Sequence, residues 1–153
     1  MRKIVQILVL ISVIVCFFQT AQAGDIGIGV MVGEPTGLSF KAWAGKTTAF
    51  AGGVGWDSSR KDHRNLHVHL DYLLHNYRIF QAQSGRLPLY YGIGGRIIDS
   101  AETKIGVRIP IGISYIFPNE FVDIFFELVP TLDLTPDTDF NLGGALGIRF
   151  YIL

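Results

Sequence analysis

The stretch His67-Val-His-Leu-Asp71 sets two imidazoles and a carboxylate at alternate positions, in a chain that has 4 histidines in all. That spacing is open to three chemistries. Alternate histidines on a strand project to one side and can both reach one metal ion, with Asp71 as a third ligand. A histidine beside a hydroxyl can activate a nucleophile, and Ser39 and Ser114 are the serines that could in principle meet it. The plainest alternative is a row of polar side chains on the hydrated or ion-paired side of a strand. Which of these applies depends on what shares that side, and so on the elements that carry it.

Those elements have a period of two. From Ile26 the chain reads I-G-I-G-V-M-V-G, with Ile26, Ile28, Val30 and Val32 opposite Gly27, Gly29, Met31 and Gly33. Val107, Ile109, Ile111, Ile113 and Tyr115 oppose Arg108, Pro110, Gly112, Ser114 and Ile116. Val122, Ile124, Phe126 and Leu128 oppose Asp123, Phe125, Glu127 and Val129, and Leu142, Leu146, Ile148, Phe150 and Ile152 share a face near the end. Repeated alternation of this kind reads as strands, and no comparable segment keeps a helical stripe. Turn residues cut the chain into eight pieces: about 24–33, 38–44, 48–56, 66–74, 87–98, 104–117, 121–133 and 141–153. Glu34-Pro35-Thr36-Gly37 is the tightest reversal, with Pro35 fixing φ and Gly37 free to take positive φ. The expected fold is all-β, an eight-stranded antiparallel up-and-down transmembrane β-barrel.

The residues before the first strand read as a separate element. Residues 1–23 combine Arg2 and Lys3, an apolar run from Ile4 to Phe18, and Ala21-Gln22-Ala23 at a cleavage site. This is the pattern of a secretory signal peptide, with a barrel domain over 24–153. The run is shorter than the ~20 residues of a spanning helix. Cys16, the single cysteine, falls within the leader, so the exported chain is expected to lack disulfides. Without Arg2 and Lys3, 11 basic side chains face 13 acidic ones. Neither a basic field nor a Lys/Arg run speaks for nucleic acid.

Side polarity decides where such a barrel resides. A soluble exterior needs long polar residues, yet the side opposite the Ile/Val/Leu/Phe face is glycine, alanine and serine with one or two charges per strand. With the bulky side toward lipid, the small residues and charges fill a narrow lumen. Trp56, Tyr72, Tyr91, Tyr115, Phe117, Phe121 and Phe150 then supply interfacial aromatics. By parity Trp43 points inward, either through a bulge or as a plug at a lumen mouth. The inverse assignment, a soluble periplasmic lipocalin-like binding barrel, is the alternative.

Parity sends Lys41, His67, His69, Asp71, Arg96, Arg108, Asp123, Glu127 and Arg149 to the lumen as a polar network. That set holds four fixed positive and three negative charges. Charges in a poorly hydrated lumen must pair, and Arg108, Arg149, Asp71 and Glu127 are expected to do so mutually. The same arginines would repel a metal cation, so neither metal nor cofactor is expected. A narrow pore is disfavoured because Arg108, Glu127, Arg149, Tyr90 and Phe125 fill the interior. A lipid-modifying enzyme is disfavoured too: outer-membrane lipid A deacylases place a serine two positions after their histidine, and His63, His67, His69 and His75 have none there.

"GEPTGLSFKAW" at 33–43, "LHVHLDYLLH" at 66–75, "LPLYYGIGGR" at 87–96, "GVRIPIGISYIFP" at 106–118, "ELVPTLDLTP" at 127–136 and "GGALGIRFYIL" at 143–153 together resemble a family of small bacterial outer-membrane β-barrels of unassigned function. That family was first catalogued in spirochaetes and stands near the OmpA/OmpX-like, porin-like barrels. The likeness, most specific at Glu34, Pro35, Thr36 and Gly37, implies a non-enzymatic, monomeric barrel in the outer membrane of a Gram-negative cell. Outer-membrane lipid, the barrel-assembly machinery and an unidentified extracellular protein are the implied partners, with a structural or surface-interaction role. Gly147, Phe150 and Ile152 match the assembly signal at the chain end, where Leu153 replaces the usual terminal aromatic. In this frame the connection 76–86 would be unusually long for a periplasmic turn.

Overall fold

The computed structural model describes residues 26–57 and 65–152. The leader, His63 and Leu153 therefore lie outside the described residues. Nine strands follow one another: β1 (Ile26–Gly33), β2 (Thr36–Trp43), β3 (Thr48–Asp57), β4 (Asn65–Asn76), β5 (Leu89–Asp99), β6 (Lys104–Arg108), β7 (Ile111–Ile116), β8 (Val122–Thr135) and β9 (Asp139–Ile152). All pairings are antiparallel, and β1 pairs β9 from Ile26↔Ile152 to Gly33↔Ala145, which closes the sheet on itself.

The closed ring has eight members because β6 and β7 occupy one place in it. Both lie between β5 and β8. The interruption falls at Ile109-Pro110, and Pro110 has no N–H to give to a ladder. The flanking bonds persist: Ile109 N–H donates to the Pro130 carbonyl at 2.9 Å, and Gly92 N–H donates to the Pro110 carbonyl at 3.0 Å. The single sequence segment 104–117 is thus one wall strand with a proline break.

The ladders fix which side each residue takes. In β4, His67, His69, Asp71, Leu73 and His75 are buried, while Leu66, Val68, Leu70, Tyr72 and Leu74 are exposed. The same segregation runs round the ring, with Val32 at 67% and Phe140 at 66% among the most exposed apolar residues. A closed sheet with aliphatic side chains outside and ionisable ones inside inverts the polarity of a soluble protein.

The inward glycines have a spatial reason. Tyr90 pairs with Gly112, Phe125 with Gly147, Asp71 with Gly94, Asp133 with Gly106 and Tyr151 with Gly27. In each pair a Cβ on the glycine would strike the side chain opposite. At these five pairs the lumen has room for one large side chain, and the position across the ladder is glycine.

One local expectation needs correction and one pair of alternatives is decided. The Glu34-Pro35 reversal is tight, with Thr36 Oγ1 exchanging hydrogen bonds of 3.0 Å with Gly33 N–H and carbonyl. The positive φ falls on Gly33, at 136°, and not on Gly37. Gly37 is instead a strand residue whose Cβ would collide with the Val54 carbonyl. Trp43 needs no bulge, since β2 and β3 pair without interruption from Thr36↔Trp56 to Trp43↔Ala49.

The barrel lumen as candidate functional site

The end of the barrel where β1 starts and β9 finishes holds the first polar layer. Asp123, fully buried, accepts a hydrogen bond from Tyr151 Oη at 2.8 Å and pairs with Arg149 Nη1 at 3.4 Å and Lys41 Nζ at 3.8 Å. Arg149 Nε donates to Ser39 Oγ at 2.9 Å, and its guanidinium lies 3.7 Å from the Phe125 ring centroid. Lys41 Nζ lies 2.8 Å from His75 Nε2, and His75 Nδ1 lies 3.2 Å from the Thr47 carbonyl. An ammonium only donates and a carbonyl only accepts, so His75 carries its proton on Nδ1. Trp43 caps this layer, its ring 4.5 Å from His75 and 4.2 Å from Lys41 Nζ.

In the second layer Arg108 stands between two carboxylates. Its Nε is 2.9 Å from Asp71 Oδ1, an ion contact whose alignment is not that of a hydrogen bond. Its Nη2 donates to Glu127 Oε1 at 3.4 Å, while Tyr90 Oη donates to Glu127 Oε2 at 2.8 Å. Toward the opposite end, Arg96 grips Asp133 through two bonds of 3.0 and 2.7 Å, and Asn141 Nδ2 adds a third at 2.9 Å. Such a fork-to-fork pair is the stronger class of ion pair. His67 and His69 stand edge to face, 5.4 Å between centroids.

Lys41, His67, His69, Asp71, Arg108, Asp123, Glu127 and Arg149 are all buried, and Arg96 is half-buried. Their partners differ from expectation in one respect: Arg149 pairs with Asp123, leaving Asp71 and Glu127 to Arg108. Asp133 supplies a fourth lumenal carboxylate, so four cations face four anions. Asp133 shares the parity of Asp123 and Glu127, but lay on an expected strand boundary; β8 runs on to Thr135. His75 escaped notice for the same reason, since β4 continues to Asn76. Tyr151 carries no signal beyond parity, and Ser39, a candidate partner for a histidine, accepts from Arg149 Nε.

The remaining candidates lie elsewhere. Glu34, Pro35, Thr36 and Gly37 form the β1–β2 turn, with Pro35 buried and Glu34 N–H bonded to the Gly144 carbonyl at 2.9 Å. Gly147 faces inward beneath Phe125, whereas Phe150 and Ile152 are exposed on the outer face. Among the described residues, no group of three or more His, Cys, Asp or Glu side chains is placed to hold a metal ion.

No protein-family model matches the chain, and no curated protein matches it in sequence. Among solved structures, the N-terminal β-barrel domain of Pseudomonas aeruginosa OprF is similar, with a TM-score of 0.58 and 18% identity. The likeness covers 86% of this chain and 100% of that domain. At that identity it shows the fold alone: a closed antiparallel β-barrel with eight wall strands.

Proposed function

We propose that the chain is a small outer-membrane β-barrel protein of a Gram-negative bacterium, exported by residues 1–23 and working as a monomer in a structural or surface-interaction role. The reading includes membership in the small outer-membrane barrel family that the sequence resembles, with Gly147, Phe150 and Ile152 read by the assembly machinery. One observation carries it. Ile28, Leu38, Val54, Val68, Ile93, Ile111, Phe126 and Leu146, one on each wall strand of the ring, are all exposed on its outside. Water does not favour such a belt, whereas a bilayer does, and wall strands of 8 to 14 residues, with β6 and β7 taken as one, bracket the length needed to cross it.

The lumen speaks for a structural interior. Each of its four fixed cations touches a carboxylate, and Tyr90, Phe125 and Leu73 are buried in the same interior. The test is heat-modifiability: fractionate the envelope, extract the outer membrane with detergent, and compare boiled with unboiled protein on a gel. A membrane-fraction band that shifts on boiling is the expected outcome. A soluble protein without a shift would overturn the assignment.

A further inference from the structure

The connection between β4 and β5, residues 77–88, is held against the outer wall at the end of the barrel that carries the termini. Arg86 and Ile116 exchange backbone hydrogen bonds of 2.9 and 2.8 Å, and Ser114 N–H donates to the Pro88 carbonyl at 3.1 Å, so the segment extends the β5–β7 ladder beyond the strand. Tyr115, which alternates outward between buried Ser114 and Ile116, donates its hydroxyl to the Ser84 carbonyl at 2.9 Å. Gly85, at φ +75°, lies against that same tyrosine ring. Arg86 ties the base of the loop through Glu120 at 3.0 Å and stands 5.4 Å from the Tyr77 ring.

Within this anchored loop Ile79 and Phe80 are exposed, at 52% and 43%. The loop leaves the same rim that carries outward aromatics: Tyr91 near the start of β5, and Tyr115 and Phe117 with ring centroids 4.9 Å apart. An exposed apolar pair on a loop tied through Ser84 and Arg86 to β7 at the rim of the exposed belt, and flanked in sequence by Arg78 and Arg86, has the composition of an interfacial anchor: apolar residues dip past the headgroups while arginine heads stay among the phosphates.

We infer that the 77–86 connection is a membrane-surface anchor, with Ile79 and Phe80 seated at the headgroup–acyl boundary of the phospholipid leaflet nearest the chain termini. This rests on the outer-membrane reading, and explains a long connection at the end where turns are otherwise short. The occupant is the bilayer itself, because the loop is tied to β7 at the rim of the belt that a bilayer would cover.

The test uses single-cysteine variants Ile79→Cys, Phe80→Cys, Ile111→Cys and Glu102→Cys of the full chain, each also carrying Cys16→Ala, spin-labelled and reconstituted into phosphatidylcholine/phosphatidylglycerol vesicles. Collision of the label with oxygen, which concentrates in lipid, is compared with collision with a water-soluble nickel chelate. Labels at 79 and 80 are expected to favour oxygen severalfold over the label at 102, though less than the label at 111. Tyr115→Phe, which removes only the hydroxyl bond to Ser84, is expected to weaken that preference and narrow the label's spectrum. Water-like values at 79 and 80 with a lipid-like value at 111 would overturn the anchor and leave the barrel assignment standing. Water-like values at all four would overturn the membrane reading and the anchor with it.

Discussion

Replacing Arg108 with methionine removes a fully buried charge that two carboxylates share, and the geometry sets the size of the loss. With an effective dielectric near 20, attraction at the Asp71 distance of 2.9 Å is about 6 kcal/mol, and at the Glu127 distance of 3.4 Å about 5 kcal/mol, before desolvation. The two are nearly equal, so Arg108 belongs to neither partner alone. After substitution Glu127 keeps the Tyr90 hydroxyl at 2.8 Å, while Asp71 Oδ1 loses the charge it faces. Arg108→Met should therefore cost about 3 to 5 kcal/mol, the usual loss when one member of a buried pair goes. Asp71→Asn alone should cost about 1 to 3 kcal/mol, because Glu127 still compensates the arginine. The double variant should recover about 0.5 to 3 kcal/mol relative to the sum. The measurement is reversible urea unfolding in lipid vesicles, followed by tryptophan fluorescence, with the gel shift confirming closed barrels. Additivity within about 0.5 kcal/mol, or an Arg108→Met loss below about 1 kcal/mol, would refute the shared-partner geometry.

Other perturbations separate the outer face, the strand contacts and the surface charges. Ile111→Arg should cost about 2 to 4 kcal/mol in vesicles, with full tolerance speaking for an aqueous outer face. The adjacent glycines of β5 should respond oppositely. A Cβ at inward Gly94 would meet Asp71 and the Leu70 carbonyl, whereas one at outward Gly95 finds its nearest neighbour 3.7 Å away. Gly95→Ala should be neutral or stabilising by about 0.4 to 1 kcal/mol, while Gly94→Ala should lower the midpoint of unfolding. If the two shift the midpoint alike, the inward and outward parity of β5 is wrong. Glu120→Gln, at a pair whose side chains are 47% and 70% exposed, should cost no more than about 1 kcal/mol and be masked by salt. Asp133→Asn, at the two-bond pair with Arg96, should be more costly and nearly salt-independent in the same unfolding assay.

Alternation alone determined the class of this fold, the place of each wall strand and the side taken by His67, His69 and Asp71. Side chains on a strand project with period two, and a barrel has only an inside and an outside. Strand ends are less legible, because pairing at a rim depends on the neighbouring hairpin as much as on the residue, and Asp133 and His75 sit at such ends. Which charges meet was decided by tertiary structure. Parity gives a residue a side, but the stagger of eight tilted strands gives it a level, and that level sends Arg149 to Asp123 and Arg108 to the Asp71–Glu127 pair. The glycines belong to both accounts: their recurrence is visible in the sequence, while the reason, a tyrosine, phenylalanine or aspartate directly across the ladder, exists only once the ring has closed.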